Sequence, residues 1–353
     1  ARSAPAARCV VLASWRRGRS HCSSYKLRSQ LSCHRVSTLL KGLLAFPLHY
    51  SPVLLQKRIL IAGDLPDVTA VGCGPLWADP GLLRQQAQHH YLQAKVNALE
   101  PGNLGAWDRH VAHLHPAEGL PRHVRRKAGA ELVSVAWLEL YELLHTFEGL
   151  IQPLPIPEDG SIIGIPVLRC VHLNEPSGSH AAAFNHYIST RILEPVTIDW
   201  YGHSGNVNGK SALHGHFEER WLVGSDGTGA INQSNWEHFL QQVGEGTAHI
   251  VTVGGDVGGG APEMEPGPQR ALYAQVALGL AVLKVGRPLV LKVRTIYQCN
   301  TVCLLYVLAC VFEEMHFAKP IATNPVGTDK YVVCLGFKGL PEGWRQKLAD
   351  LAV

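Results

Sequence analysis

One loop of the sequence has the residues expected of a ligand site. Residues 173–180 read Leu-Asn-Glu-Pro-Ser-Gly-Ser-His, and they join an apolar segment typical of a strand to a segment typical of a helix. A glycine in such a turn lets a ligand approach the backbone, and the exposed N–H groups at the start of the helix attract negative charge. The loop therefore predicts a ligand site, and the pattern alone is weak because every α/β protein has several such turns.

The segments around this loop alternate between short apolar strands and longer helices. Strands are predicted at Pro166–Leu173, Val196–Tyr201, Ala248–Val253, Pro288–Val293, His316–Ala318 and Lys330–Phe337. Helices are predicted at Ala130–Thr146, Ser179–Ile192, Ser234–Val243, Pro268–Val285 and Cys299–Glu314. This alternation predicts an α/β fold with a doubly wound, mostly parallel sheet, in which ligands bind beyond the carboxyl ends of the strands.

The composition divides the chain into three parts. Residues 1–63 form a basic arm, residues 64–124 form an extension rich in Gly, Pro and His with one predicted helix at Pro80–Leu99, and residues 125–353 form the α/β domain. The arm holds 11 of the 32 Lys and Arg residues and no Asp or Glu, so the remaining chain has 21 basic and 28 acidic residues. The net charge of +4 is therefore the sum of a basic arm and a remaining chain that is net acidic.

Six short motifs of the α/β domain occur in an order that resembles a known family. They are Glu175–Tyr187, Asp199–Tyr201, Asp226–Gly229, His249–Thr252, Leu289–Lys292 and Tyr331–Cys334. The series, within residues 125–339, resembles the FtsJ-type RNA ribose 2′-O-methyltransferases, and most closely their Adrift-type branch, which methylates mRNA caps. The resemblance implies a Rossmann-like methyltransferase fold, S-adenosylmethionine as the methyl donor and an RNA ribose 2′-hydroxyl as the acceptor.

Enzymes of this family use a Lys-Asp-Lys-Glu tetrad, in which a lysine held between carboxylates orients the ribose hydroxyl and stabilises its developing charge. The resemblance places Lys292 at the central lysine and Asp329 at the glutamate. Glu139 stands at the position of the first lysine and Gly254 at the position of the aspartate. Neither position therefore keeps the side chain that the family uses in the reaction. Asp256 replaces the missing aspartate only if its loop is shifted.

The positions that bind the donor in the family are also changed in part. The matching residues are Glu175, Gly178, Asp226 and Gly229. Ala230 stands where the family has an aspartate that holds the adenine amino group, and His180 stands where an apolar or aromatic residue is usual. Alanine cannot accept that hydrogen bond, so a loss of about ten- to a hundredfold in donor affinity is expected.

An arm without acidic residues is typical of mitochondrial targeting segments and of arms that bind RNA. We expect this arm to be retained and held by a partner, most simply by RNA phosphates. The candidate RNA-binding residues are Arg16, Arg17, Arg19, Lys26, Arg28 and Arg35. This composition favours the mitochondrial matrix, with the nucleus or cytoplasm as the alternative.

Other classes of site are not indicated. The nine cysteines lack paired metal-ligand spacing, and His113 and His115 have no Cys or carboxylate at ligand spacing, so no metal site is predicted. No apolar run reaches the roughly 20 residues that a membrane-spanning helix needs.

The changed tetrad and donor positions favour a catalytically degenerate methyltransferase. On this hypothesis the chain needs no cofactor and serves as a structural or assembly component of an RNA-containing particle, most simply a mitochondrial ribosome, with rRNA and neighbouring proteins as partners. One alternative is an active RNA 2′-O-methyltransferase that uses Lys292 with Asp256 and Asp329. Another is a family member that has lost its enzymatic activity and has become a subunit of a mitochondrial complex without RNA.

Overall fold

The computed structural model describes residues 57–59, 88, 109–111, 113, 115, 117–152, 165–192, 194–205, 213, 215–254, 268–296, 299–325 and 327–352. Several sequence predictions lie outside these residues. They are the six candidate RNA-binding residues of the arm, the predicted helix Pro80–Leu99 apart from Gln88, and Asp256.

The described residues form a sheet of eight strands. These are β1 (Lys57–Ile59), β2 (Val167–Leu173), β3 (Thr197–His203), β4 (Trp221–Leu222), β5 (Ile250–Val253), β6 (Leu289–Val293), β7 (Phe312–Ala318) and β8 (Lys330–Phe337). Their order across the sheet is β1-β7-β8-β6-β5-β2-β3-β4, with β2 to β6 parallel and β8 antiparallel to both β6 and β7. The predicted α/β fold with a doubly wound, mostly parallel sheet is confirmed, and two strands, β8 and the edge strand β1, run in reverse.

Helices cover both faces of the sheet. They are α1 (Leu120–Ala128), α2 (Val135–Thr146), α3 (Ser179–Arg191), α4 (Gln233–Val243), α5 (Pro268–Val282), α6 (Cys299–Val311) and α7 (Trp344–Ala352). Side chains of α1, α2 and α3 share one apolar cluster with Cys170 and Ile250, whereas α4 to α7 share another with Val171 and Val251. Because successive strand residues point to opposite faces, each central strand contributes to both clusters. This pattern explains why β5 and β6 read as continuous apolar runs.

The start of α2 differs from the sequence prediction. The apolar stripe predicted a helix from Ala130, but the helix begins at Val135. Leu132 has a left-handed backbone with φ of 48°, and Ser134 is extended and accepts a hydrogen bond from the Trp137 backbone N–H. The serine is therefore a helix cap, and Leu132 lies in the preceding turn, so the first five residues of the prediction were wrong.

Four short or flanking elements were not predicted: β1, β4, α1 and α7. The strand β1 comes from residues assigned to the basic arm, and it pairs antiparallel with β7 at the edge of the sheet. The helix α1 crosses the assigned boundary at residue 124. No helix in the described part of the chain is both long and apolar enough to cross a membrane.

Candidate functional site

The order of the strands locates the candidate site. The strand order reverses between β2 and β5. The chain adds β3 and β4 on one side of this pair and β6 on the other. Ligands of doubly wound sheets bind at such a switch point, beyond the carboxyl ends of the strands. The loop 173–180 follows β2, and Gly254 follows β5, so both predicted features lie at this edge.

Three of the four tetrad positions meet in one cluster. The Lys292 ammonium lies 3.1 Å from Oε2 of Glu139 and 3.2 Å from Oδ2 of Asp329. The hydroxyl of Tyr331 donates a 2.7 Å hydrogen bond to the same Oε2. Glu139 is buried, with 2% of its side chain exposed, whereas Asp329 is 31% exposed. The carboxylate that replaces the family's first lysine is therefore the buried partner of the central lysine.

The two carboxylates keep Lys292 charged. Burial lowers the pKa of Lys292, but the attraction of Glu139 and Asp329 outweighs burial, so the pKa lies above its ordinary value. Burial and the charge of Glu139 raise the pKa of Tyr331, which keeps its hydroxyl protonated as a donor. Sequence reasoning found Lys292, Glu139 and Asp329 but not the role of Tyr331, because the residue lies inside an apolar strand.

Gly254 lies against the backbone that follows β2. A Cβ at this residue would lie 2.4 Å from the carbonyl oxygen of Asn174. The Asn174 side chain donates to the Gly254 carbonyl at 3.1 Å, and the Gly254 N–H donates to the Leu173 carbonyl at 2.8 Å. The ends of β2 and β5 are thus joined by hydrogen bonds, and this position has no room for a side chain.

The turn before α3 is filled by a side chain from another loop. Gly178 has a φ of 74°, which favours glycine, and a Cβ there would lie 2.3 Å from Cδ1 of Leu213. Leu213 is buried, with 6% of its surface exposed. A ligand that approached the backbone of Gly178 would have to displace this leucine.

Glu175 caps the same helix from within the chain. Its carboxylate accepts hydrogen bonds from the His180 backbone N–H at 3.2 Å and from the Ser177 hydroxyl. Burial raises the pKa of Glu175 despite these bonds. The acidic residue predicted to bind the donor therefore already binds the backbone at the N-terminus of α3.

The third group of predicted donor residues forms a turn held by Asn235. Asp226 accepts hydrogen bonds from the Thr228 backbone and side chain and from the Asn235 amide, and these bonds lower its pKa to about 2. The Asn235 amide also donates to the carbonyl of Ala230, which is exposed. A Cβ on Gly229 would lie 1.9 Å from the Ser204 carbonyl, so the turn packs on the end of β3.

Buried histidines occupy the interior of the site. Thr252 lies between His172 and His180, and its hydroxyl is 2.9 Å and 3.1 Å from their Nδ1 atoms. His203 bridges the Asn174 backbone N–H and the Gly229 carbonyl. Because the Thr252 hydroxyl has one proton, it donates to one ring and accepts from the other, so the two rings have opposite tautomers. Sequence reasoning missed His172 and His203, since one polar residue in an apolar strand leaves no periodic signal.

These histidines predict sensitivity to acid. Burial lowers the pKa of His172 to about 3, that of His203 to about 4 and that of His180 well below its ordinary value. Stabilisation by neutral rings is complete above about pH 6.5, the unfolded value, and is lost as the pH falls towards the folded pKa values. We expect His180→Phe to reduce the slope of unfolding free energy against pH, between pH 6 and 4, by up to about 1.4 kcal/mol per unit.

Urea unfolding at a series of pH values measures this slope. His113→Phe is the matched control, because His113 is exposed and lies outside the site. An unchanged slope in His180→Phe would show that the ring takes up no proton on unfolding.

The described residues contain no group of three or more His, Cys, Asp or Glu that could hold a metal ion. His115, one of the histidines considered in the sequence, contacts the backbone instead. Its Nε2 lies 3.2 Å from the Ala322 carbonyl, and its Nδ1 accepts a hydrogen bond from the Ala117 N–H.

Comparison with known proteins gives relatives that include cap-specific mRNA methyltransferases. The chain is 30% identical over 291 residues to cap-specific mRNA (nucleoside-2′-O-)-methyltransferase 2 of Danio rerio, a match that covers 78% of this chain and 37% of the relative. The proteins of the same name are 31% identical in Mus musculus and 26% identical in Drosophila melanogaster, covering 70% and 71% of this chain and 33% and 37% of the relatives. The chain thus spans about a third of the length of these curated relatives. A search of family models found no match.

Among solved structures, human methyltransferase-like protein 13 in complex with SAH aligns with 61% of this chain and 90% of its own, at 13% identity and a TM-score of 0.35. At this TM-score the alignment supports no conclusion beyond the fold that the strand order already gives. The match to the Danio rerio protein covers 78% of this chain, so it extends beyond the α/β domain of residues 125–353 into the preceding residues. This chain belongs to the FtsJ-type RNA ribose 2′-O-methyltransferase family.

Proposed function

We propose that this chain is a catalytically degenerate member of its family and acts as a structural or assembly component of an RNA-containing particle, with a mitochondrial ribosome as the first candidate. The observation that carries the proposal is the end of β5, where Gly254 stands at the position of the family's catalytic aspartate. The carbonyl of Asn174 lies where a Cβ would have to be, at 2.4 Å. An aspartate is therefore absent, and its substitution would require the backbone to move.

The remaining tetrad positions support the same reading. In the family a second lysine accompanies the central one, but here Glu139 takes that position and forms an ion pair with Lys292. Lys292 also pairs with Asp329, which Arg294 approaches to 3.7 Å, so the two carboxylates offset both cations of this cluster. A cluster without net positive charge does not attract the phosphate backbone of an approaching RNA, as a second lysine would.

The residues at the donor positions do not fit S-adenosylmethionine. Leu213 covers Gly178, and Ala230 has no acceptor for an adenine amino group. A hydrogen bond from the Asn174 side chain to the Gly254 carbonyl also joins the ends of β2 and β5, which border the switch point. We therefore assign no methyl-transfer step to this chain.

Equilibrium binding of S-adenosylmethionine to the purified chain tests the degenerate site. We expect calorimetry to show no saturable binding up to about 1 mM donor, because Leu213 and Ala230 remove contacts that each contribute on the order of tenfold. Saturable binding at micromolar donor would contradict the proposal. S-adenosylhomocysteine serves as the second ligand, since it shares every group of the donor except the methyl.

Sedimentation of a mitochondrial lysate tests whether the chain is part of an RNA-containing particle. If the chain is part of a ribosome or of its precursor, it sediments with large RNA-containing particles from a mitochondrial lysate and is released by ribonuclease. Sedimentation that ribonuclease leaves unchanged would instead support a retired enzyme within a complex without RNA.

The second candidate, an active RNA 2′-O-methyltransferase, is favoured by one contact. Lys292 keeps an acidic partner in Asp329 at 3.2 Å, as the family's lysine keeps its glutamate. This candidate requires both donor binding and methyl transfer, so the calorimetric result separates it from the first.

A further inference from the structure

The short helix α1 is amphipathic, and its polar face is basic. Its sequence is Leu-Pro-Arg-His-Val-Arg-Arg-Lys-Ala, with Val124 and Ala128 buried against the cluster that contains Trp137. The exposed residues of the helix are Arg122, Arg125, Arg126 and Lys127. The helix has no acidic residue, so none of these four positive charges is offset within it.

Contacts on both sides of α1 place it at the edge of the sheet that carries the candidate site. Before the helix, His115 contacts the carbonyl of Ala322 in the connection between β7 and β8. After the helix, Arg125 donates to the Val133 carbonyl at 2.8 Å, and the Leu132 carbonyl accepts a 3.2 Å hydrogen bond from Ser179 at the start of α3. The segments that flank α1 therefore contact the loop that precedes Asp329 and the start of α3, both of which lie at the carboxyl edge of the sheet.

Among the described residues, three other cations of this edge are already engaged. Arg294 forms an ion pair with Asp329, Lys319 donates to the Gly327 carbonyl, and Lys330 donates to the carbonyls of Thr328 and Arg294. Two exposed carboxylates, Glu118 and Glu131, lie next to α1, one at each end. Within the described part of this edge, α1 thus holds a cluster of four exposed cations.

The spacing on α1 suits a polyanion. Arg122 and Arg126 are four residues apart, so they share one face of the helix with their Cβ atoms about 6 Å apart. Guanidinium groups bind phosphate oxygens through two parallel hydrogen bonds, and their exposure leaves them free of the cost of burial. Arg125 donates to the Val133 carbonyl, and no hydrogen bond or ion pair to the other described residues engages the exposed side chains of Arg122, Arg126 and Lys127.

We propose that α1 is an RNA-binding element, separate from the basic arm, that holds phosphate groups of a single-stranded RNA segment at the mouth of the degenerate cleft. The inference rests on the proposed function in taking RNA as the polyanion. It does not depend on whether the cleft binds S-adenosylmethionine.

Salt-dependent binding of a labelled RNA to the full chain tests this element. The probe is fluorescein-labelled polyuridine of about 20 nucleotides, which has no secondary structure and exceeds the site size of a single binding domain. The test variant is Arg122→Gln/Arg126→Gln/Lys127→Gln. The control is Lys284→Gln/Lys338→Gln/Arg345→Gln, which removes the same charge from exposed residues on other parts of the domain.

We expect the α1 variant to bind the probe about ten- to a hundredfold more weakly at 0.1 M salt, with a salt slope about 2 smaller, since each lost phosphate contact on a single strand changes the slope by about 0.7. The control is expected to stay within about threefold of wild type, because it removes only long-range charge that salt screens. Thermal unfolding verifies that both variants fold. Arg122→Lys/Arg126→Lys keeps the charge and is expected to keep the salt slope.

Equal losses in the two triple variants would overturn the proposal, because they would show a general charge effect. An unaffected α1 variant, with all binding lost in Arg16→Gln/Arg17→Gln/Arg19→Gln, would overturn it as well. Donor binding by the same preparation would contradict the degenerate function and leave the assignment of α1 untouched.

Discussion

Gly254→Ala is expected to destabilise the protein by about 3 kcal/mol, the upper end of the cost of adding one buried group to a packed interior. A Cβ at this residue would lie 2.4 Å from the carbonyl oxygen of Asn174, and backbone atoms cannot rotate away as a flexible side chain can. Relief requires the ends of β2 and β5 to separate, which breaks the hydrogen bond between the Asn174 amide and the Gly254 carbonyl. Gly254→Asp should cost at least as much, so it should not restore the family's aspartate.

Urea unfolding followed by circular dichroism measures this cost. Gly215→Ala is the matched control, because a Cβ at Gly215 would meet no atom within 4 Å. We expect the control to lie within about 0.5 kcal/mol of wild type, as most surface substitutions do. A Gly254→Ala variant as stable as the control would mean that the two strand ends are not packed together and that the cleft can accept a side chain there.

Lys292→Met is expected to cost about 3 to 5 kcal/mol, because it leaves the buried Glu139 without its cationic partner. Only 2% of the Glu139 side chain is exposed, and the Tyr331 hydroxyl is its remaining donor among the contacts described above. The double variant Lys292→Met/Glu139→Met removes both charges and should recover much of the loss, because two apolar side chains avoid the cost of a buried unpaired charge. The test is a double-mutant cycle in urea at pH 7.

Asp329→Asn provides the control for this cycle. Asp329 is 31% exposed, so its pairing with Lys292 is screened by solvent and should contribute only about 1 kcal/mol or less. Additive costs of Lys292→Met and Glu139→Met would contradict the account, since they would show that the two groups do not interact.

The strands and helices of the core were largely predictable, because buried segments are apolar and the residues that flank them are polar. Lys330–Phe337 was predicted with both its ends, since the segment is apolar and flanked by polar residues and a glycine-rich turn. The start of α2 could not be predicted, because Leu132 continues the apolar stripe while its backbone is left-handed. The strand β4 has two residues, which is too few for a periodic pattern. It is a strand only because it pairs with β3.

The site was predictable only in part, for a related reason. The resemblance gave the positions of Glu139 and Lys292, but the ion pair between them depends on how α2 packs beside β6. Leu213 covers Gly178 from 35 residues further along the chain, and nothing in its local sequence indicates that contact. Contacts between distant segments therefore account for what the sequence left undetermined.

Methyl transfer by the purified chain distinguishes a degenerate member of the family from an active enzyme. The assay follows transfer of a tritiated methyl group from S-adenosylmethionine to capped RNA and to ribosomal RNA, with Lys292→Ala as the comparison. We expect no transfer above background in either protein, because Gly254 stands in place of the aspartate and Glu139 forms an ion pair with Lys292. Transfer by the wild-type chain that Lys292→Ala abolishes would contradict this expectation and would show an active RNA 2′-O-methyltransferase.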